Sequence, residues 1–187
     1  MGKVIKLQIC QKKQHHENSD PQKRQKSSLT SLKDKRRSNY AQVESIDCIQ
    51  GVGITGDDNA KGDDRQVTLM DEAVNQWIAS QPEKGLCSGR FKGNITIEGL
   101  DTSLLQQGSL LTIGGVKLEI SSVSKKCYSD WCKLYSKESA CPIPLGCYFA
   151  KVVQSGRIQL GDACMAKEFD IVKTSSDLDS QIETEPH

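Results

Sequence analysis

Apolar and polar residues alternate over residues 4–9, the period of a half-buried strand. The same two-residue period recurs over residues 42–48, 66–70 and 94–98, each bounded by Gly, Asp, Asn or Ser. Further on, residues 110–113, a Gly114-Gly115 turn and residues 116–123 form a hairpin pattern. Residues 146–153, Ser155-Gly156 and residues 157–160 form another, and Gly161-Asp162 leads into a last strand over residues 163–167. One segment breaks the period. Val74, Trp77 and Ile78 recur at helical spacing after Asp71, a residue suited to N-capping, which predicts a helix over about residues 72–80 with those three side chains inward. Residues 104–107 predict one helical turn, and the glycine- and aspartate-rich stretch 51–64 predicts tight bends. Eight short strands, one clear helix and evenly spaced loops place the chain in the mainly β class. The expected architecture is a small β-barrel of mostly antiparallel strands with a few helices.

Charge divides the chain into segments. Residues 1–10 hold the first strand, 11–38 read as a mobile polar insertion, 39–168 as the barrel domain and 169–187 as a disordered acidic tail. The insertion carries Lys12, Lys13, Lys23, Arg24, Lys26, Lys33, Lys35, Arg36 and Arg37 against Glu17, Asp20 and Asp34, with almost no apolar residue to bury. The tail carries Asp170, Asp177, Asp179, Glu183 and Glu185 against Lys173. Net charge is only +1, so bulk charge selects neither nucleic acid nor membrane as a partner. The basic run also lacks the interleaved aromatics of a single-strand binder. The first ten residues have no apolar signal core, and nothing approaches the run of about 20 apolar residues that spans a bilayer. A cytoplasmic protein is expected. Aromatics make up 5% of the residues, so aliphatic side chains must fill the core.

Eight cysteines then need places: Cys10, Cys48, Cys87, Cys127, Cys132, Cys141, Cys147 and Cys164. Without a secretion signal, a disulfide framework is not the expectation. Cys48, Cys147 and Cys164 sit in strand-like runs and read as plain core or surface residues with no chemical role. Cys127 follows Lys125 and Lys126, whose charge favours the reactive thiolate; the alternative is an inert buried thiol beside two solvated lysines. The spacing Cys127-x4-Cys132-x8-Cys141 also admits a redox pair of Cys127 with Cys132 or Cys141, or a metal site. A closed metal site would lack a CxxC pair and a fourth ligand.

The loops and strands together resemble a known family. Gly51–Gly56 with Asp57 resembles the Gly-Ile-x-Gly-Asp loop of MOSC domains, and Arg65-Gln66-Val67-Thr68-Leu69 its Arg-Gln-Val-Ser/Thr-Leu run. Phe91-Lys92-Gly93-Asn94-Ile95-Thr96 with Gly99-Leu100 is similar to Phe-x-Glu-Asn-Ile-Thr-x-x-Gly-Leu. Gly108, Ile113-Gly114 and Leu118-Glu119 fit its hairpin, Lys126-Cys127 its key cysteine, and Gly146, Ala150, Val152-Val153, Gly156 and Gly161-Asp162 its closing segment. The resemblance covers about residues 40–165, with residues 4–9 as the first strand, and is nearest to small stand-alone bacterial members. Three positions depart from it: Asn59 stands where relatives often carry His, Gly93 where they carry Glu, and Tyr128 where the nearest subgroup has His.

The resemblance implies a β-barrel that binds the molybdenum cofactor (molybdopterin) and carries sulfur through Cys127 as a persulfide or thiolate, with Cys127 as the metal-facing ligand. Arg65, Arg90, Lys92 and Asn94 fall in matching motifs and suit the phosphate and pterin. Asp57 either holds a pterin nitrogen or caps its own turn. The chain shows no pyridoxal-phosphate lysine domain of its own, so a cysteine desulfurase or a molybdoenzyme is the implied partner. Two further functions remain open: a molybdenum-dependent reductase of N-hydroxylated compounds, and a redox- or metal-responsive cysteine adaptor. The missing His and Glu remove two proton-transfer groups and favour binding over turnover.

Overall fold

A computed structural model describes residues 1–11, 39–60, 62–88, 91–123, 126–134 and 141–167. The expected mobile insertion lies outside these residues apart from Gln11, and the acidic tail lies wholly outside them. Among the described residues the chain forms eleven strands and one α-helix.

Strand β1, Gly2–Gln11, is paired on both edges within the larger sheet. Its alternation is broken once, by a register shift between Val4 and Lys6 against the strand Ile95–Glu98. That bulge turns Ile5 outward and lets Val4 and Leu7 both enter the core, although three positions separate them. The second expected strand, 42–48, is in fact two. Strand β2, Asn39–Val43, pairs with β1, and β3, Ser45–Ile49, joins a different sheet. The chain turns between them at Glu44, whose carbonyl accepts from the Leu160 amide at 3.0 Å. A straight strand cannot change sheets, so a corner is needed here. The glycine-rich loop contains one more short strand, β4, Gly53–Ile54.

Strand β5, Val67–Asp71, leads directly into helix α1, Glu72–Ser80. Asp71 caps it as expected, its carboxylate accepting from the Ala73 amide at 2.9 Å. The helix stops at Gln81, whose amide returns to the Ile78 carbonyl, and Pro82 follows. Val74 is buried and Ile78 packs beneath it, but Trp77 is only half-buried, so the inward stripe is narrower than expected. Strand β6, Ile95–Glu98, runs parallel to β5. This pairing explains the helix, because parallel neighbours need a crossover between them. The expected helical turn near 104–107 is a 3-10 turn over Thr102–Leu104, capped by Asp101.

Strands β7, Leu110–Ile113, and β8, Val116–Ser122, form the first hairpin. Strands β9, Cys147–Gln154, and β10, Gly156–Gln159, follow but do not form the expected second hairpin: β9 pairs with β5 and β8, whereas β10 pairs with β3 in another sheet. Strand β11, Ala163–Lys167, ends the described chain. The large sheet runs β11-β7-β8-β9-β5-β6-β1, and pairing of β11 with β1 closes it into a seven-strand barrel. Every barrel pairing except β5–β6 is antiparallel. β10, β3 and β4 form a small second sheet whose Ile46, Ile54 and Ile158 share the barrel core. That core is aliphatic, with Leu7, Leu69, Ile95, Ile97, Leu111, Ile113, Leu118 and Ile120 fully buried. Each such side chain contributes about 1.5–3 kcal/mol by leaving water.

Candidate functional site

The cysteines sort into two sets. Cys10, Cys48, Cys147 and Cys164 are buried, which settles the last three as core rather than surface residues. Cys87, Cys132 and Cys141 are half-buried, and Cys127 is exposed. The four members of the second set line one small pocket. They reach it on loops rather than strands. Cys87 lies between α1 and β6, Cys127 and Cys132 flank the 3-10 turn Ser129–Trp131 after β8, and Cys141 precedes β9. Gly85, Lys126, Leu134, Ile143 and Pro144 complete the wall. The enclosed space is about 20 Å³, room for one water-sized or ion-sized guest.

The pocket rests on a satellite core separate from the barrel interior. Met70 from β5, Val74 from α1, Ile143 and Cys147 form it, with Cys87, Phe91 and Cys141 packed against it. Two loops meet above this floor because residue 85 is glycine. A Cβ there would approach Leu134 Cδ1 to 2.8 Å and the Cys132 sulfur to 3.1 Å. Burial pushes the Cys141 thiol up; a backbone hydrogen bond from Ile143 opposes this, and the neighbouring Cys132, Cys127 and Cys87 add to it. The Lys126 ammonium lies 5.4 Å from the Tyr128 ring centre, covering one side of the Cys127 turn. Among the described residues, no three His, Cys, Asp or Glu side chains stand in metal-holding geometry.

The motif residues sit elsewhere on the scaffold and divide by burial. Asp57 is buried. One carboxylate oxygen accepts from the Cys10 amide at 2.9 Å and from Asn94 Nδ2 at 2.6 Å; the other accepts from the Asn59 amide at 2.7 Å. Asn94 also donates to the Gln8 carbonyl at 3.2 Å and accepts from the Thr68 amide at 3.0 Å. These two side chains tie the glycine loop to β1, β5 and the start of β6. Asn59 donates to the Tyr40 hydroxyl at 3.0 Å. Burial pushes the Tyr40 hydroxyl up to about 12, with Cys10 and Asp57 adding to it.

Arg65 and Lys92 are exposed. The Arg65 guanidinium lies 4.6 Å from the Phe149 ring centre, a cation–π contact. Phe149 in turn meets Phe91 edge-on at 6.3 Å. Phe91 packs on the same satellite core as Cys87 and Cys141, so two ring contacts link the Arg65 cation to the floor of the cysteine pocket. Arg90 lies outside the described residues. The cations have the charge for an anionic group such as the cofactor phosphate, whereas both Asn94 amide donors and most of the Asp57 acceptor sites are already engaged within the fold. Sequence reasoning brought together Cys127, Cys132 and Cys141 but missed Cys87, which is 40 positions before Cys127 in no recognisable spacing. The remaining signal was its place in a polar loop, outside any strand pattern.

The MOSC domain family model matches residues 56–165, more than half of the chain. The chain belongs to the MOSC domain family. That family is linked in general to the molybdenum cofactor and to sulfurase-like function. Among solved structures, this MOSC domain superposes on the YuaD protein of Bacillus subtilis with a TM-score of 0.56 at 16% identity, covering 90% of this chain and 97% of that one. YiiM from Geobacillus stearothermophilus gives 0.50 at 14% identity over 90% and 76% of the two chains. YiiM from Escherichia coli gives 0.48 at 16% identity over 69% and 65%. The MOSC chain spans only 62% of a further, hypothetical protein that matches it. At such identities the likeness is one of fold. None of the curated proteins is similar enough in sequence to count as a relative. No helix among the described residues is long and apolar enough to cross a membrane.

Proposed function

We propose that this MOSC domain binds the molybdenum cofactor and carries sulfur on Cys127, as a thiolate or a persulfide. The observation that carries the proposal is the exposure of Cys127 at the pocket, while half of the cysteines are shut in the core. Sulfur transfer needs an accessible thiolate and little else. The Cys127 thiolate attacks the outer sulfur of a donor's persulfide, forming Cys127–S–SH and releasing the donor's thiolate, so sulfur and charge balance without an added oxidant. A cysteine desulfurase fits the donor's role, because it makes persulfide from free cysteine; a molybdoenzyme fits the acceptor's. Arg65 and Lys92 supply exposed cations for the cofactor's phosphate. When bound, the cofactor supplies a soft molybdenum centre that takes sulfur as a ligand. Phe149 holds the Arg65 guanidinium beside the barrel wall, which limits the rotamers it must lose on binding.

The test uses metal-free, reduced protein incubated with a cysteine desulfurase and cysteine. Intact-mass analysis should show a gain of one sulfur that is absent from Cys127→Ser and retained in Cys132→Ser. Arg65→Ala and Lys92→Ala should each weaken cofactor binding about tenfold or more, since a hydrogen bond to a charged group contributes about 1.5–3 kcal/mol. Sulfur loading that survives Cys127→Ser, together with cofactor affinity that ignores both cations, would overturn the proposal.

A further inference from the structure

Four of the eight cysteines are consumed by the cores, and all four of the others meet at one pocket. Cys127, Cys132 and Cys141 share the connection between β8 and β9, and Cys87 comes from the loop between α1 and β6, so the arrival of Cys87 is a product of the fold and not of local sequence. Sequence spacing alone supplied three sulfurs and left a metal site one ligand short. Cys87 lines the same pocket as those three. We propose that Cys87, Cys127, Cys132 and Cys141 together form a four-thiolate site for a single thiophilic divalent cation of the zinc type.

The chemistry of the wall favours such a guest. The lining includes no carboxylate and no imidazole, so hard cations such as calcium or magnesium find no oxygen ligands there. Soft sulfur selects zinc and its heavier congeners. The space suits one ion, with no room for a cluster of several. Cys141 is half-buried at the pocket that the other three thiols line. The sulfurs surround the space without yet meeting in ligating geometry. Every one of them sits on loop backbone, so closure around an ion disrupts no strand pairing. Metal binding is therefore coupled to tightening of these loops, with each coordinating thiol giving its proton to solvent. The proposal is independent of sulfur carriage and competes with it for one atom, since a Cys127 sulfur bound to zinc is not free to take up sulfane sulfur.

The test is anaerobic titration of the reduced full chain with cadmium and then zinc. It follows the ultraviolet thiolate-to-cadmium charge-transfer band and the protons released. One equivalent should saturate the band. X-ray absorption of the zinc form should show four sulfurs at about 2.3 Å. Cys87→Ser is the decisive variant, because no persulfide role is assigned to that residue. It should weaken zinc by more than about tenfold, since even the loss of a group supporting a ligand costs about 10–100-fold. Should that variant fail to fold by circular dichroism, the sulfur count of the wild-type zinc protein decides. Absence of the band, a count of two sulfurs, or a folded Cys87→Ser with unchanged affinity would each overturn the site. Zinc-loaded protein should also refuse sulfur from the desulfurase. Failure of sulfur loading in the metal-free protein would instead count against the carrier function alone.

Discussion

Asn94 Nδ2 donates a 2.6 Å hydrogen bond to the buried carboxylate of Asp57, 37 residues earlier. Two motifs that look like separate ligand-binding signatures are thereby one structural joint. Removing either side chain strands the other's partners inside the protein. Asn94→Ala leaves Asp57 one donor short and leaves the Thr68 amide without its acceptor. Unsatisfied buried groups cost about 1–3 kcal/mol each, so denaturant unfolding should show a loss of about 2–4 kcal/mol. Asp57→Ala should lose a similar amount, and the double variant less than the sum of the two. Losses below about 1 kcal/mol in both single variants would contradict a joint of this kind.

Thiol reactivity should follow burial. Burial pushes Cys48 and Cys164 up to about 12, so they remain protonated and shielded at neutral pH. Cys127 is exposed. Alkylation followed by peptide mapping should label Cys127 well ahead of both. Equal rates at the three positions would remove Cys127 from the functional argument.

The same two buried thiols predict an alkaline weakness. Their folded values lie above the ordinary 9.0, so between that pH and about 12 the folded protein holds protons that the unfolded chain gives up. Tyr40, raised from 10.0 to about 12, acts in the same direction. The stability these groups contribute is fully present below pH 9.0 and drains away as pH rises through that window. Chemical unfolding midpoints should fall steadily above about pH 9, and a Cys48→Ala, Cys164→Ala pair should flatten the fall. A midpoint that rises with pH there would have the wrong sign.

Glycine at position 93 reports on packing as much as on chemistry. A Cβ there would lie 2.9 Å from the Met70 Cβ, beneath α1. Gly93→Glu, which installs the residue common in relatives, should therefore destabilise the protein by about 1–3 kcal/mol through overpacking. Thermal unfolding measures this directly. A variant as stable as the wild type would show that Met70 gives way freely.

How much of this was visible beforehand depended on the range of the cause. The bounds of α1 follow from neighbours in sequence, an Asp71 cap and the Val74 and Ile78 spacing, and they were legible to the residue. Strands β9 and β10 were legible as strands, but their expected pairing as a hairpin was not met, because β10 leaves to pair with β3 in the second sheet. The corner at Glu44 was not, because its cause is a sheet change fixed by a hydrogen bond to Leu160, more than a hundred positions away. Among the site residues, Cys127 carried local signals in its lysine neighbours and motif position. Cys87 carried none, since only the docking of the loop after α1 against the loop holding Leu134 brings it in. For Asp57 the sequence left a pterin contact and a turn cap open, and the cap is present as its bond from the Asn59 amide; the Asp57–Asn94 pairing was not legible because the two motifs lie 37 residues apart.

The barrel is shut by its first and last strands, Gly2 facing Cys164 and Lys3 facing Ala163. A chain emerging from the ribosome N-terminus first must hold the Gly2–Lys3 end of β1 unmet on the edge that β2 covers over Leu7–Gln11, until the final stave arrives. Through most of synthesis that short end, and the β7 edge that β11 will also cover, are open to pairing with other chains. Ring closure across nearly the whole domain also makes the last contact the one of longest range, which slows folding relative to local structure. A nascent domain halted before residue 163 should be sticky and sensitive to protease, and the few residues of β11 convert it to a sealed product. Truncation by one short strand at the end is thus expected to cost the entire domain, while most of the chain upstream of it stays intact.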